Sequence, residues 1–321
     1  MSPENDLTLV IVSWNCVSLL DSCLRSLLGR PTRASLEVVV VDNASSDGAT
    51  EMLKARYPAV RVIANSENLG FSRANNLAIR ATRSRYVVLL NPDTEIIEPG
   101  TLDRLMAFMD DNPEVGAAGA HLVDRNGRSQ VGSAGYGPGP ATVFAHAFLL
   151  ARLTRNGIRG LCLAPVSAGD DRRVDVDWVC GACMIIRRTA LGDAGLLCER
   201  YFLYGEDLEF GHRLRQHGWV VTHLPGVRVM HLLSGTSRGE HNVVSPQWLD
   251  GFSQVYMDLN ENGSWYFWKI CMGTGFLIRM ALYGMLALVS RRAAPRRRAQ
   301  EALVWLRYLV NLDRWDRTPT S

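Results

Sequence analysis

At 321 residues and 47% apolar content, the chain is long enough for one large domain or two modest ones, each with a real core. A formal charge of +3 is too small to argue for nucleic acid, and no nucleic-acid partner is expected. Seven scattered cysteines, an odd count, read as buried thiols rather than a disulfide framework.

The chain opens polar and acidic, from Met1 to Asp6. It lacks the positive n-region and long apolar stretch of a secretory signal, so it is expected to begin in the cytosol. Four short runs rich in Val, Ile and Leu follow: Leu7 to Val12, Glu37 to Val41, Arg61 to Ala64 and Tyr86 to Leu90. Continuous apolar runs suit strands buried on both faces of a parallel sheet. Between the first two, Leu19, Leu20, Cys23, Leu24, Leu27 and Leu28 recur at helical spacing. Thr50 to Tyr57 and Ser72 to Arg83 read as the next two helices. This βαβ order predicts an α/β fold: a Rossmann-like, mostly parallel sheet flanked by helices, with ligands at the carboxyl ends of the strands.

Polar residues gather at those ends: Ser13-Trp14-Asn15 after the first strand, Asp42 to Gly48 after the second, and Asn91-Pro92-Asp93 after the fourth. Each cluster alone is what turns and helix caps require. Three on one sheet edge make a pocket instead. Further on, Gly135 to Pro140 reads as a loop or lid, and Ala141 to Leu153 as one apolar helix. After irregular sequence to Arg173, regular structure resumes at Val174 and runs through Gly181 to Ile186. Cys180-x-x-Cys183 lies in this strand-like run with no second Cys or His pair at ligand spacing, so its thiols are expected in the core. Asp207 to Gln216 has a helix pattern, and strands are expected at Trp219 to His223 and Val227 to His231.

Several of these residues could serve the transfer of a sugar from a nucleoside diphosphate, which requires reading the base, neutralising the diphosphate and deprotonating the acceptor. Asp42 could accept the imide N–H of uracil or thymine, or simply cap its turn. Asp93, behind an apolar strand, could hold a divalent cation shared with phosphate oxygens, or cap a helix before Pro99. In Glu206-Asp207, one carboxylate could act as general base, or both could mark an acidic helix start. His231, followed by Ser234-Gly235-Thr236-Ser237, could complete a metal shell or be packed in the core.

Taken in order, the segments Val10 to Asn15, Val40 to Gly48, Asn68-Leu69-Gly70-Phe71 with Asn75, Asn91-Pro92-Asp93, Gly181-Ala182-Cys183, Glu206-Asp207 and His231 carry a resemblance. From about residue 7 to 240 the chain resembles a family 2 glycosyltransferase of the GT-A fold, in the bacterial rhamnosyltransferase-like branch. The resemblance implies that Asp42 reads the donor base and that Arg73 and Asn75 lie near the donor phosphates. It implies a donor-binding set that also includes Ser13, Asn15, Asn68, Gly70 and Asn91. Asp93 stands where the last acid of the family's Asp-x-Asp motif binds magnesium or manganese, with His231 as a further ligand. Asp207, beside Glu206, stands as catalytic base. Inversion by direct displacement is implied, with dTDP-L-rhamnose as donor; UDP-sugars present the same imide edge. The implied acceptor is a saccharide or a polyprenyl-diphosphate-linked sugar.

Two departures matter. Asn91 replaces the first acid of Asp-x-Asp, removing one carboxylate from the metal site. No Gln-x-x-Arg-Trp motif follows the Glu-Asp pair, which points to single transfers rather than polymerisation. A sugar-1-phosphate nucleotidyltransferase would need a Gly-rich basic loop after the first strand, where Ser13-Trp14-Asn15-Cys16 stands. A non-catalytic scaffold of the same fold is the remaining alternative, against which Asp93, Asp207 and His231 argue.

The C-terminus carries a separate expectation. Trp265 to Trp268 is an aromatic cluster of the kind enriched at bilayer interfaces, and Ile270 to Val289 is nearly all apolar. Its length approaches the roughly 20 residues of a spanning helix. Arg279 in mid-segment would cost about 2.5–3.5 kcal/mol on insertion, so lying on the membrane or packing on the protein is favoured over spanning. Arg291, Arg292 and Arg296 to Arg298 suit anionic headgroups, and Leu303, Leu306 and Val310 suggest an amphipathic helix. The expected division is a nucleotide-sugar half over 1–123, an acceptor and catalytic half over 124–247, and a helical region over 248–321. Attachment is expected on the cytoplasmic face of the cell membrane, peripheral or monotopic.

Overall fold

The computed structural model describes residues 5–154, 158–163, 171–232, 238–239, 243–260, 264–289 and 293–313. They form two compact units, Met1–Gly135 with Pro165–Gly235, and Tyr136–Ala164 with Thr236–Ser321.

In chain order the first unit begins with β1 (Asn5–Ser13), α1 (Val17–Leu28), β2 (Leu36–Asp42), α2 (Ala49–Arg56), β3 (Arg61–Ala64), α3 (Gly70–Arg80) and β4 (Ser84–Leu90). It continues with β5 (Thr94–Ile96), α4 (Thr101–Asp111), β6 (Val115–Val123) and β7 (Ala134–Gly135). Two helices of the second unit, α5 (Pro140–Ala147) and α6 (Leu150–Leu153), intervene. The first unit then closes with β8 (Val174–Val176), β9 (Trp178–Val179), β10 (Cys183–Arg187), α7 (Arg188–Ala194), α8 (Glu206–Gln216) and β11 (Val220–His231).

One sheet runs in the order β3-β2-β1-β4-β10-β6-β11-β5, with β8 also paired to β11, while β7 and β9 form a separate antiparallel pair. Strands β3, β2, β1 and β4 are parallel, as their continuous apolar runs predict. Strand β10 enters antiparallel between β4 and β6, while β6 and β11 are again parallel, so the far half of the sheet is mixed. Strands from 1–123 and 124–247 thus share one sheet. Leu9, Ile11, Val40 and Val88 are fully buried at its centre, and Leu20 and Leu24 of the α1 stripe cover it.

The register sets the functional edge. Ser13 pairs with Asp42, so the polar clusters after β1 and β2 emerge side by side. His231 pairs with Thr94, which brings the end of β11 against the loop after β4. The strands expected at Trp219 to His223 and Val227 to His231 are one strand, β11, whose register shifts between Leu224 and Arg228. Pro225-Gly226 lies in that shift, where a missing N–H interrupts a ladder least.

The second unit is helical, apart from the short pair β12 (Arg238–Gly239) and β13 (Val243–Val244). Its other helices are α9 (Trp248–Leu259), α10 (Trp265–Val289) and α11 (Ala293–Asn311). Trp248 of α9 packs edge to face on Phe276 of α10 and Trp305 of α11, and these two are tilted against each other, with ring centroids 5.4–6.4 Å apart. The single helix expected from Ala141 to Leu153 is instead broken into α5 and α6 at Leu149, which takes φ 60°. The freed carbonyls of His146 and Ala147 accept hydrogen bonds of 2.7 and 2.9 Å from Arg279. The aromatic cluster also divides: Trp265 and Trp268 stack in the core, while Tyr266 and Phe267 face solvent. A helix turns roughly 100° per residue, so positions three apart share a face and adjacent ones cannot.

Candidate functional site

The Asp42 carboxylate ends β2, 3% exposed. Its Oδ2 accepts from the Thr50 hydroxyl at 3.1 Å and from the Ser45 N–H at 3.4 Å. Its Oδ1 is buried and has no hydrogen-bond partner among the described residues. One oxygen therefore serves the turn, and the other remains a strong acceptor for an N–H brought by a ligand. The turn is braced from outside: Asp47 accepts the Val17 N–H at 2.7 Å and so satisfies an end group of α1. Asn15, at φ 49°, receives the Ser46 N–H at 2.8 Å, while Ser13 is buried with its hydroxyl 3.4 Å from the Cys16 sulfur.

The next loop is locked to this one by amides. Asn43 donates to Asn68 Oδ1 at 3.2 Å and to Gly70 O at 3.1 Å, and Asn65 donates to Asn43 at 2.8 Å. Gly70 adopts φ +77°, and a Cβ there would lie 2.5 Å from Phe202 O and 2.7 Å from its ring. Glycine is thus required both by conformation and by approach. The Phe71 N–H donates to Phe202 O at 2.8 Å, which ties α3 to the segment leading into α8. Asn75 is buried with its amide on Phe71 O, and Arg73 is half exposed, 3.8 Å from Glu199.

The loop after β4 is tied instead to the residue just before β10, because the Asn91 N–H donates to Ala182 O at 3.0 Å. Asp93 is 6% exposed and His231 5%. His231 Nε2 stands 3.2 Å from Asp93 Oδ1, yet off the line of a hydrogen bond, and makes none among the described residues. Two ligands at neighbouring corners of an octahedral cation lie about 3 Å apart, given bonds of about 2.1 Å. A carboxylate and an orphaned imidazole nitrogen at this spacing fit a divalent cation. Among the described residues no group of three or more His, Cys, Asp or Glu side chains converges, so other ligands would come from substrate or water. Asp93 caps no helix: α4 begins only at Thr101.

Glu206 and Asp207 open α8 behind Tyr204 and Gly205, both at positive φ. Burial, then the neighbouring Asp207 charge, raises Glu206 well above the usual carboxylate range, and its Oε2 is unpartnered among the described residues. Burial also pushes Asp207 up to about 6, against N–H donation from Leu208 and Gly181. A helix N-terminus favours anions by only about 0.3–1 kcal/mol when exposed, so desolvation wins here. The Cys180 thiol is pushed up by burial and then by the charges of Asp207, Glu206 and Asp93, so the three carboxylates surround one region. All seven cysteines are free, but only Cys23, Cys183 and Cys271 are buried as expected, while Cys16, Cys162, Cys180 and Cys198 are partly exposed; burial lifts Cys183 to about 12.

A buried carboxylate oxygen open to a donor, a carboxylate–imidazole pair at a spacing that fits a cation and a raised carboxylate pair thus stand at one sheet edge. The family described as glycosyltransferase-like family 2 matches residues 3–243. The chain belongs to this family. The N-acetylglucosaminyl-diphospho-decaprenol L-rhamnosyltransferase of Mycobacterium tuberculosis is 29% identical over 248 residues, 70% of this chain and 75% of that protein. A low-salt glycan biosynthesis hexosyltransferase of Haloferax volcanii is 25% identical over 80% of this chain and 74% of that protein. Among solved structures, a mannosyltransferase of Pyrobaculum calidifontis in complex with GDP-Man and Mn2+ superposes with TM-score 0.61. It is 16% identical, covering 97% of this chain and 88% of that one, and it shows the shared GT-A fold.

Three residues of this family 2 glycosyltransferase were not singled out by sequence. His121 and His223, on neighbouring strands, stand 3.1 Å apart in the core, where burial lowers both and takes His223 to about 3. Gln130 holds His231, accepting from its Nδ1 at 3.0 Å and donating to its carbonyl. Nothing in the local sequence marks Gln130; only the strand pairing brings it to His231.

Proposed function

We propose that the chain is an inverting, non-processive glycosyltransferase that moves L-rhamnose from dTDP-L-rhamnose to a polyprenyl-diphosphate-linked saccharide in bacterial polysaccharide assembly. The observation that carries the reading is the Asp93–His231 pair, 3.2 Å apart, at the same sheet edge as the raised Glu206-Asp207 carboxylates. Donor and acceptor class rest on the mycobacterial relative, whose name carries both rhamnosyl transfer and a diphospho-decaprenol acceptor.

In this reading Asp42 Oδ1 accepts the imide N–H of the base. Ser13, Asn15, Asn68, Gly70 and Asn91 shape the donor loops, with Arg73 and Asn75 on the phosphate side. Asp93 and His231 hold magnesium or manganese, which would neutralise charge on the departing diphosphate. Asp207, raised toward neutrality, takes the acceptor hydroxyl proton as that oxygen attacks the anomeric carbon. Glu206, held protonated by burial, keeps a second negative charge from opposing that transfer.

Membrane attachment belongs to the same reading. Helix α10 is long and apolar enough to cross a bilayer, with 22% of its most apolar window buried. Its exposed stripe runs through Phe267, Ile270, Leu277, Met285 and Leu288. Arg279 points the other way, into carbonyls of α5 and its own helix, so no charge interrupts the stripe. Arg296, Arg297 and Arg298 of α11 are exposed, while Arg291 and Arg292 lie outside the described residues. An apolar stripe and a basic patch in one unit suit an anionic cytoplasmic leaflet.

The test is transfer itself. Purified full-length chain is incubated with dTDP-L-rhamnose and with UDP-sugars, each with a prenyl-diphosphate-linked acceptor, and products are weighed by mass spectrometry. A product heavier by one deoxyhexose is expected with dTDP-L-rhamnose. A hexose product from a UDP-sugar would correct the donor, and no product with any donor would leave a non-catalytic member of the fold.

A further inference from the structure

We infer that Gln130 is a positioning residue that selects the metal-binding tautomer of His231. The inference rests on the reading of Asp93 and His231 as cation ligands.

Its basis is a two-point contact. Gln130 Nε2 donates to the His231 carbonyl, and Gln130 Oε1 lies 3.0 Å from His231 Nδ1. A carbonyl oxygen only accepts, so the amide nitrogen must face it. The amide oxygen is then committed to Nδ1, and an oxygen there requires that Nδ1 carry the proton. The neutral ring therefore keeps its lone pair on Nε2, the atom 3.2 Å from Asp93 Oδ1. Flipping the amide would set two oxygens against each other at the carbonyl.

The other tautomer would work against cation binding. With its proton on Nε2, the ring needs only a small rotation to donate to Asp93, and that bond would engage both proposed ligands at once. Fixing the proton on Nδ1 removes this competitor. Outer-shell partners of metal-bound histidines characteristically act in this way.

Gln130 can do this because its backbone is held at several points. The turn after β6 is closed by Asp124, whose Oδ1 accepts the N–H groups of Asn126 and Arg128 at 2.8 and 2.9 Å. Gly127 supplies φ +71° in that turn. The Gln130 N–H donates to Leu122 O at 2.9 Å, and its own carbonyl accepts from Ser133 at 3.1 Å. One residue earlier, the Ser129 hydroxyl lies 2.9 Å from His121 Nε2, which continues to His223 at 3.1 Å. Both of those imidazoles are kept neutral by burial, so this anchor stays uncharged at ordinary pH.

The experiment uses the full chain and three variants, His231→Ala, Gln130→Leu and Gln130→Glu. Mn2+ affinity is measured by electron paramagnetic resonance in the presence of UDP. The His231 tautomer is read from nitrogen-15 shifts in metal-free protein. In wild type the proton is expected on Nδ1. Gln130→Leu moves it toward Nε2 and weakens Mn2+ binding by roughly 10–100-fold, the usual cost of an outer-shell loss. Gln130→Glu loses the bond to the His231 carbonyl but keeps an acceptor at Nδ1, so it is expected to retain that tautomer, which separates positioning at Nδ1 from a loss of local packing. If His231→Ala leaves Mn2+ affinity unchanged, the cation reading itself falls. If His231→Ala weakens binding but Gln130→Leu changes neither affinity nor tautomer, the role given to Gln130 is overturned.

Discussion

The two units solve opposite problems. In the sheet unit, apolar side chains are buried and polar atoms are left over: Asp42 Oδ1, Glu206 Oε2 and His231 Nε2 are buried without a hydrogen-bond partner among the described residues. In the helical unit, buried charge is matched instead. Arg279 donates to three carbonyls, and Asp250 receives the Tyr308 hydroxyl at 2.5 Å. What that unit leaves over is apolar surface, with Leu288 and Val289 each 89% exposed. An unmatched buried acceptor costs about 1–3 kcal/mol, and an exposed apolar stripe forgoes burial. Apart from the buried Trp268 Nε1 of the helical unit, each unit thus carries a deficit mainly of one kind, and the kind indicates whether a polar or an apolar partner would relieve it.

The largest effect comes from removing the raised carboxylate of the sheet unit. Asp207→Asn is expected to cut transfer by roughly 10²–10⁴-fold, the usual contribution of a general base, while calorimetric binding of donor nucleotide survives. The same change should stabilise the fold at neutral pH. Asp207 binds its proton more tightly folded, at about 6, than at its ordinary 3.8. Its contribution is therefore fully present below the unfolded value and lost as pH rises through the folded one. Melting temperatures of variant and wild type should separate at pH 7.5, with the variant higher, and converge near pH 4. A variant less stable at pH 7.5 would mean that the N–H bonds from Leu208 and Gly181 outweigh the cost of burying this charge.

The helical unit should respond in the reverse sense. Arg279→Met removes hydrogen bonds to the carbonyls of His146, Ala147 and Gly275, weakening the end of α5, where His146 O keeps only the long Leu149 N–H bond of 3.3 Å. A loss of about 3 kcal/mol is expected in chemical denaturation of the full chain, from charged hydrogen bonds worth about 1.5–3 kcal/mol each, partly replaced by water. A smaller effect falls on the donor. Asp42→Asn should weaken UDP binding by about 1.5–3 kcal/mol, roughly 10–100-fold in Kd by calorimetry, with little change in stability because its amide oxygen can keep the Thr50 and Ser45 bonds while an NH2 replaces Oδ1, which bonds nothing in the fold.

How much of this was legible in sequence depends on what each element must do. Strands β1, β2 and β4 are read directly, because burial forces continuous Val, Ile and Leu, whereas β3, at the sheet edge, is partly exposed rather than buried on both faces as its run suggested. Strand β6 is as buried, yet its sequence, VGAAGAHLV, escapes the same pattern. A Cβ at Gly116 would lie 2.8 Å from Trp219, and one at Gly119 would lie 2.5 Å from Val179. Close packing there demands small residues, which dilute the apolar signal. Asp93 and His231 were marked as candidates by strand ends and by resemblance, but only the β5–β11 register brings them to 3.2 Å. The break between α5 and α6 carries no Gly or Pro, and a distant arginine supplies its reason.

The smallest effect on stability should come from the apolar stripe, and it is the sharpest test of the helical unit's deficit. Ile270, Leu277, Met285 and Leu288 are each more than half exposed and spaced to share one side of α10. If the stripe were a core face that happens to be uncovered, polar replacements would leave localisation unchanged. If it meets lipid, changing all four to Gln removes about 1 kcal/mol of partitioning per residue, given their part exposure. Each replacement should alter folding stability by less than about 0.5 kcal/mol, as surface changes do. The expected result is a four-site variant that melts like wild type yet leaves the membrane fraction at low salt, where wild type requires detergent. Exchanging Arg296, Arg297 and Arg298 for Gln should instead make wild-type attachment sensitive to moderate salt, because the basic patch acts only within a screening length of the headgroups. Wild-type protein that is wholly soluble at low salt would end the lipid reading and leave the stripe to a protein partner.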